Sequence, residues 1–217
     1  MKVFGLAGSP RAWSSVTLKL VEAVVRGAAA EGADIEVVEA AHLNIKRCRG
    51  CGECFGTGRC GQDDDLAFLL ERMALADGII VGSPAHAGGV AAPVETIMER
   101  MADTAHCRRF EGKYGVSVSV SRNGDERFAL GHIDRFMDDC GVAVVGRLGA
   151  SPGDRYDALA GAEALGRELA GAIREKRQYP EHEGSKALFL RNFRETIVAH
   201  RETWAHDYRF WLEKGWV

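Results

Sequence analysis

The 217-residue sequence predicts a doubly wound α/β fold, with five parallel strands and helices on both faces, from three observations. Short apolar runs alternate with helix-length amphipathic segments over the first 178 residues. One run, Gly78 to Gly82 (GIIVG), carries no charged or hydroxyl-bearing side chain, the mark of a strand covered on both faces. The turn Gly8-Ser9-Pro10 after the first run leads through a hydroxyl-rich stretch into a helical pattern, as a βα unit does.

Taken in order, Lys2 to Ala7 reads as a short buried strand and Ser15 to about Glu31 as a helix. Asp34 to Glu39 is the second strand, Leu66 to Ala76 a helix and Gly78 to Gly82 the third strand. Pro93 to Asp103 follows as a helix, because the fixed φ of proline suits a first helical turn. Tyr114 to Val120 is the fourth strand, Asp125 to Cys140 a helix, Val142 to Gly146 the fifth strand and Arg155 to Lys176 a helix. Ligands of such sheets lie beyond the carboxyl ends of the strands, which singles out the loops after strands one, three and four.

The composition shifts after residue 178. The last 39 residues hold eight of the 17 aromatic residues, including three of the four Trp. Residues 1–178 therefore read as one domain and 179–217 as a C-terminal helical arm. From Lys186 onward, Phe189, Phe193, Ile197, Trp204, Tyr208 and Trp211 fall at intervals of three, four or seven, one apolar stripe on a helix. Such a stripe has to be buried, either on the chain's own core or on a second copy in a homodimer or homotetramer.

With 46% apolar and 27% charged residues the composition is that of an ordinary globular protein. A net charge of -3 supplies no basic field for a phosphate backbone, so no nucleic-acid partner is expected. The first apolar stretch is too short for a secretion signal and no run of eighteen apolar residues occurs, so the expectation is a cytoplasmic protein without a membrane partner. In that compartment the six Cys are expected as reduced thiols, metal ligands or catalytic groups rather than disulfides.

Ser9 and Arg11, followed by Ser14, Ser15 and Thr17, place hydroxyls and free N–H groups at a helix N-terminus, where the dipole favours an anion. The spacing is neither that of a pyrophosphate loop nor that of a triphosphate loop, which leaves a monophosphate such as that of FMN, or simple helix capping. Two further loops, Ser83-Pro84-Ala85-His86-Ala87-Gly88-Gly89 and Ser121-Arg122-Asn123-Gly124, follow the third and fourth strands. GSPR with its downstream hydroxyls, together with VGSPAHAGGVAAPVETIMER, resembles the flavodoxin-like NADPH-dependent FMN reductase family over about residues 1–150. The resemblance implies that Ser9, Arg11, Ser15 and Thr17 hold the FMN phosphate. It implies also that Pro84, Ala85, His86, Gly88, Ser121, Asn123 and Gly124 border the flavin ring, and that NAD(P)H serves as electron donor. The family usually has Tyr, often followed by another aromatic, where this chain has His86-Ala87, so an imidazole would have to take the place of a stacking ring.

Four of the cysteines form a C-x2-C-x2-C-x5-C run, Cys48, Cys51, Cys54 and Cys60, inside a Gly-rich stretch spanning 42–63. The first three cysteines have the spacing of a bacterial ferredoxin loop, in which one segment wraps a cubane and its thiolates reach different irons, while Cys60 follows after five residues rather than three. Zinc, which also takes four thiolates, and a metal-free thiol loop are the alternatives. The run resembles that of the iron-sulfur flavoproteins, a branch of the same reductase family. That resemblance implies one [4Fe-4S] cluster beside FMN, with a small-molecule or ferredoxin-type electron donor and a small acceptor. A cluster-free NAD(P)H-dependent FMN or quinone reductase, and a thiol-based or metal-based redox sensor, are the rival functions. Asp63, Asp64 and Asp65 read as negative charge at the N-terminus of the following helix, and Cys107 and Cys140 as buried small hydrophobes.

Overall fold

The computed structural model describes residues 1–11, 15–151, 153 and 155–217, the side chains of 155 and 156 excepted. Its elements run β1 (Lys2–Ala7), α1 (Val16–Ala30), β2 (Asp34–Glu39), α2 (Glu53–Thr57), α3 (Leu66–Leu75) and β3 (Gly78–Pro84). Then follow α4 (Ala92–Arg100), α5 (Ala102–His106), β4 (Lys113–Val120), α6 (Glu126–Asp139), β5 (Val142–Ala150), α7 (Arg155–Glu175), α8 (Pro180–Ala199) and α9 (Ala205–Glu213). The strands form one parallel sheet in the order β2-β1-β3-β4-β5. The chain winds outward in one direction from β1 to β2 and in the other from β3 to β5, so the crevice between the β1 and β3 loops is the switch point.

Side-chain alternation divides the core into two layers. Val3, Ile80, Val116 and Val118 face α1 and α7, whereas Phe4, Leu6, Ile79 and Val81 face α3, α4 and α6. On the first face α1 and α7 pack backbone to backbone. A Cβ on Gly27 would lie 2.0 Å from the Glu163 carbonyl oxygen, and one on Gly166 would lie 1.9 Å from that of Val24. Any side chain at either position would therefore force the two helices apart.

Several boundaries differ from the sequence expectation. β3 continues through Ser83 and Pro84, and β5 through Ala150, because both pair with the full length of β4. The helix expected from Pro93 to Asp103 breaks at Met101 into α4 and α5. The expected single C-terminal helix is two, α8 and α9, separated at His200–Trp204 where the chain turns back on itself. This turn lets α9 reach α2 and α5, so the arm docks on its own chain: Ile197 and Trp211 are fully buried, and the Trp211 indole N–H donates to the His106 carbonyl at 2.9 Å. No described helix is long and apolar enough to cross a membrane.

Candidate functional site

The loops after β1, β3 and β4 converge on a cleft of about 650 Å3. Its walls include Ser9, Arg11, Ser15 and Thr17 from the first loop, Pro84, Ala85 and His86 from the second, and Ser121 and Asn123 from the third. Gly88 and Gly124 do not line it; with φ of 77° and 75° they serve as turn positions that bring their neighbours in. Ser14 lies outside the described residues.

Local chemistry shapes each wall. The first loop is drawn against the sheet by the Gly8 N–H, which donates to the Gly82 carbonyl at 2.7 Å, and a Cβ at Gly8 would meet Val94 Cγ2 at 1.9 Å. Ser15 caps α1 by accepting from the Leu18 N–H at 3.3 Å, leaving the N–H groups of the first turn directed at the cleft. Ser9, Ser15 and Thr17 are buried, so their hydroxyls are positioned rather than solvated.

In the second loop, His86 and Gly89 exchange both backbone hydrogen bonds at 2.9 Å, closing a two-residue turn over Ala87 and Gly88. Ala87 sits there at φ 50°, a conformation that costs a residue with a Cβ about 1 kcal/mol or more. The buried Ser83 hydroxyl accepts from the Ala91 N–H at 2.8 Å and so joins β3 to the start of α4. In the third loop, the Ser121 hydroxyl donates to Asp125 and accepts from the Asn123 N–H at 3.0 Å. Val16, Arg122 and Asp125 also line the cleft, although the sequence reading gave none of them a cofactor contact. Asp125 was legible only as the expected first residue of a helix, and it stands just before α6.

The cysteine run occupies a separate region and shares no lining residue with the cleft. Its base is a set of hydrogen bonds between the two ends of the loop. The Asn44 N–H donates to Asp65 at 2.6 Å and the Asp65 N–H to the Asn44 carbonyl at 3.1 Å. The Lys46 N–H donates to Asp64 at 3.0 Å, and the Gln62 amide donates to the Arg47 carbonyl at 3.2 Å. Asp64 also accepts from the Leu66 N–H at 3.2 Å, so it does serve the helix N-terminus as expected. Its larger role was invisible in the sequence: it pairs at 2.7 Å with the guanidinium of Arg100 from the end of α4, both side chains being fully enclosed. Burial alone would push the Asp64 carboxyl up, but the bonds from Arg100, Lys46 and Leu66 outweigh it and hold the group below its ordinary value.

Inside this frame, Gly50, Gly52 and Gly58 take left-handed conformations, and α2 carries Cys54. Cys48 and Cys51 are exposed, Cys54 and Cys60 half-buried. Arg100 donates to Cys60 Sγ at 3.3 Å and the Gly50 N–H to Cys48 Sγ at 3.4 Å, so two of the four sulfurs already receive N–H groups. Among the described residues, no three of the four thiols have sulfurs within 4.8 Å of one another. One tetrahedral zinc requires about 3.8 Å between its sulfurs, given Zn–S bonds of about 2.3 Å. The Cys54 thiol is pushed up to about 12 by burial and by the charges of Asp103, Cys60 and Asp207, so without a bound cation it stays protonated.

The arm completes the surroundings of α2. Phe55, beside Cys54, stacks on His106 with ring centroids 4.3 Å apart and touches Trp204 at 4.8 Å. The fully buried Asp207 of α9 pairs with His106 Nδ1 at 2.9 Å and lies 3.2 Å from His206 Nδ1. Cys107 is buried as expected, yet it is not a mere hydrophobe: its Sγ donates to Asp207 at 3.4 Å. Cys140 lies in the apolar layer between sheet and helices.

The NADPH-dependent FMN reductase family model matches residues 1–151. An iron-sulfur flavoprotein of Archaeoglobus fulgidus is 30% identical over the whole of both chains. One of Methanocaldococcus jannaschii is 33% identical over 80% of this chain and 98% of its own, and one of Methanosarcina thermophila 32% identical over 67% and 78%. Among solved structures, a flavone reductase superposes with a TM-score of 0.68 at 20% identity, over 82% of this chain and 66% of its own. An archaeal flavodoxin gives 0.56 at 19% identity, over 80% of this chain and 99% of its own. The chain belongs to the NADPH-dependent FMN reductase family of flavin-dependent oxidoreductases, in its iron-sulfur flavoprotein branch.

Proposed function

We propose that the chain carries electrons between one [4Fe-4S] cluster held by Cys48, Cys51, Cys54 and Cys60, one FMN held in the switch-point cleft, and a small acceptor. The observation that carries this reading is the presence, in one chain, of that cleft and of an all-sulfur loop closed at its base and supplied with N–H donors to sulfur. When bound, the flavin supplies two-electron chemistry and the cluster one-electron chemistry.

The residues present fit both groups. Ser9, Ser15, Thr17 and the first N–H groups of α1 would receive the phosphate, with Arg11 offsetting its charge. Pro84, Ala85, His86, Ser121 and Asn123 would flank the ring and keep water from it, while Gly88 and Gly124 hold the turns of their loops. Around the sulfurs, Arg100 would neutralise thiolate charge at Cys60, favouring the reduced cluster, and the Asp64 pair fixes its direction. The ferredoxin-type spacing of Cys48, Cys51 and Cys54, together with the relatives' names, favours a cubane over zinc.

The electron donor would be NAD(P)H, as the family name suggests, or a small-molecule or ferredoxin-type carrier. A reducing compartment such as the cytoplasm would keep the four thiols available. Exposed Phe128, Leu188 and Leu212 offer apolar surface for a homodimer or homotetramer, which sedimentation would measure. The test of the main reading is anaerobic reconstitution with iron, sulfide and FMN, followed by metal analysis and chromatography of the acid-released chromophore. One FMN and about four irons per chain are expected. FMN without iron would leave the cluster-free reductase, and FAD or no flavin would overturn the cleft assignment.

A further inference from the structure

A second cavity, of about 490 Å3, opens between the cysteine loop and α3 and shares no lining residue with the flavin cleft. Its volume is that of a small-molecule site. One wall is a helical stripe, Leu66, Leu70 and Ala74 at intervals of four with Ala67 beside it, and Phe110 adds an aromatic surface. Around Cys60 the lining carries Arg59, Arg100 and Arg109, with the carboxylates of Asp103 and Glu71 also in the wall.

Two features of this polar wall point to a ligand. Arg100 is 3% exposed, and its Nε has no hydrogen-bond partner, although its other nitrogens are satisfied by Asp64, Lys46 and Cys60. A buried guanidinium N–H without a partner carries a desolvation cost that a carboxylate nearby would relieve. Arg59 is exposed at the mouth, and among the described residues its guanidinium makes no ion pair or hydrogen bond. Arg109, by contrast, is engaged by Asp103 at 3.0 Å, so it shapes the wall rather than awaiting an anion.

We propose that this cavity binds an apolar organic anion, a flat hydrocarbon body against α3 and Phe110 with its carboxylate toward Arg59 and the Cys60 side. An apolar molecule without charge would leave the Arg59 guanidinium and the Arg100 Nε unmatched, and inorganic phosphate would leave the α3 stripe exposed to water. Because Cys60 lines the cavity, the ligand would lie against the cysteine loop, in a pocket that shares no lining residue with the flavin cleft. That placement beside a cluster rests on the function proposed above, whereas binding itself does not.

The probe is 2-naphthoate, which is redox-inert, titrated calorimetrically into the full-length FMN-loaded protein with and without reconstituted iron. Saturable binding of one naphthoate per chain is expected in both forms, and it would stand even if no iron were ever incorporated. Ala67→Trp, a change at an exposed helix position that fills the cavity, should weaken it by about tenfold or more while FMN content is unchanged. Arg59→Ala should weaken it several-fold and reduce its salt dependence. Absence of saturable binding overturns the proposal. So does equal binding to wild type and Ala67→Trp, or an Ala67→Trp protein that binds nothing less but changes its oligomeric mass, which would make the cavity a subunit contact.

Discussion

Replacing Asp64 by Asn removes one negative charge with little change of shape and leaves the Arg100 guanidinium enclosed, with side-chain exposures of 1% for Arg100 and 0% for Asp64 in the intact pair. Breaking a buried pair by removing one partner costs about 3–5 kcal/mol, because the remaining charge is desolvated without compensation. The loss is not the whole pair, since the Lys46 carbonyl still accepts from Arg100 at 2.6 Å and an Asn oxygen still accepts from one loop N–H. The lower end, about 3 kcal/mol, is therefore expected, and at about 2–4 °C per kcal/mol for a chain of this size the melting temperature should fall by about 6–12 °C.

The double variant Asp64→Asn with Arg100→Met, which buries no charge, should recover part of that loss. Acid stability adds an independent check. The folded carboxyl titrates below its unfolded value of about 3.9, so its contribution is complete above that pH and disappears as pH falls through the lower folded value. The acid limb of the wild-type stability curve should accordingly be steeper than that of Asp64→Asn. Urea denaturation from pH 3 to 7 measures both effects, and a change under about 1 kcal/mol at pH 7, or acid limbs of equal slope, would refute the reasoning.

Ser9→Asp sets a carboxylate against the proposed phosphate position, and fluorescence titration should show FMN affinity reduced several-fold or more; unchanged affinity would remove Ser9 from the site. Ala87→Gly relieves about 1–2 kcal/mol of left-handed strain against about 0.5–1 kcal/mol of added freedom in the unfolded chain, so a net gain of about 0.5–1 kcal/mol should appear in the denaturation midpoint, and a loss would contradict the turn assignment. Trp211→Ala should cost about 3–5 kcal/mol in the same assay, since it empties a fully enclosed site and deprives the His106 carbonyl of its donor; a surface-like effect would mean that the arm is not docked as described.

The parts of the fold legible in the sequence were those with local causes. GIIVG announced a strand covered on both faces, and Ser15 announced the start of α1, because both depend on residues within one element. The ends of β3 and β5 were not legible, since Ser83-Pro84 and the run from Arg147 to Ala150 join the sheet only by pairing with β4. The break between α8 and α9 was hidden because Ile197 and Trp204 are seven apart, a spacing that a continuous helix also satisfies. The three cleft loops could be read because each follows its own strand. Arg100 on Asp64 and Cys60, or Asp207 on His106 and Cys107, could not, because these partners are 36 to 101 residues apart and the fold alone brings them together.

The central claim is that four thiols of one stapled loop, and no others, hold the cluster. It is tested by counting iron and FMN in anaerobically reconstituted wild type and in Cys60→Ala and Cys107→Ala. About four irons per chain are expected in wild type and in Cys107→Ala, whose sulfur faces Asp207, and fewer in Cys60→Ala with its broad absorbance lost and FMN retained. A full iron complement in Cys60→Ala together with its loss in Cys107→Ala would contradict the account.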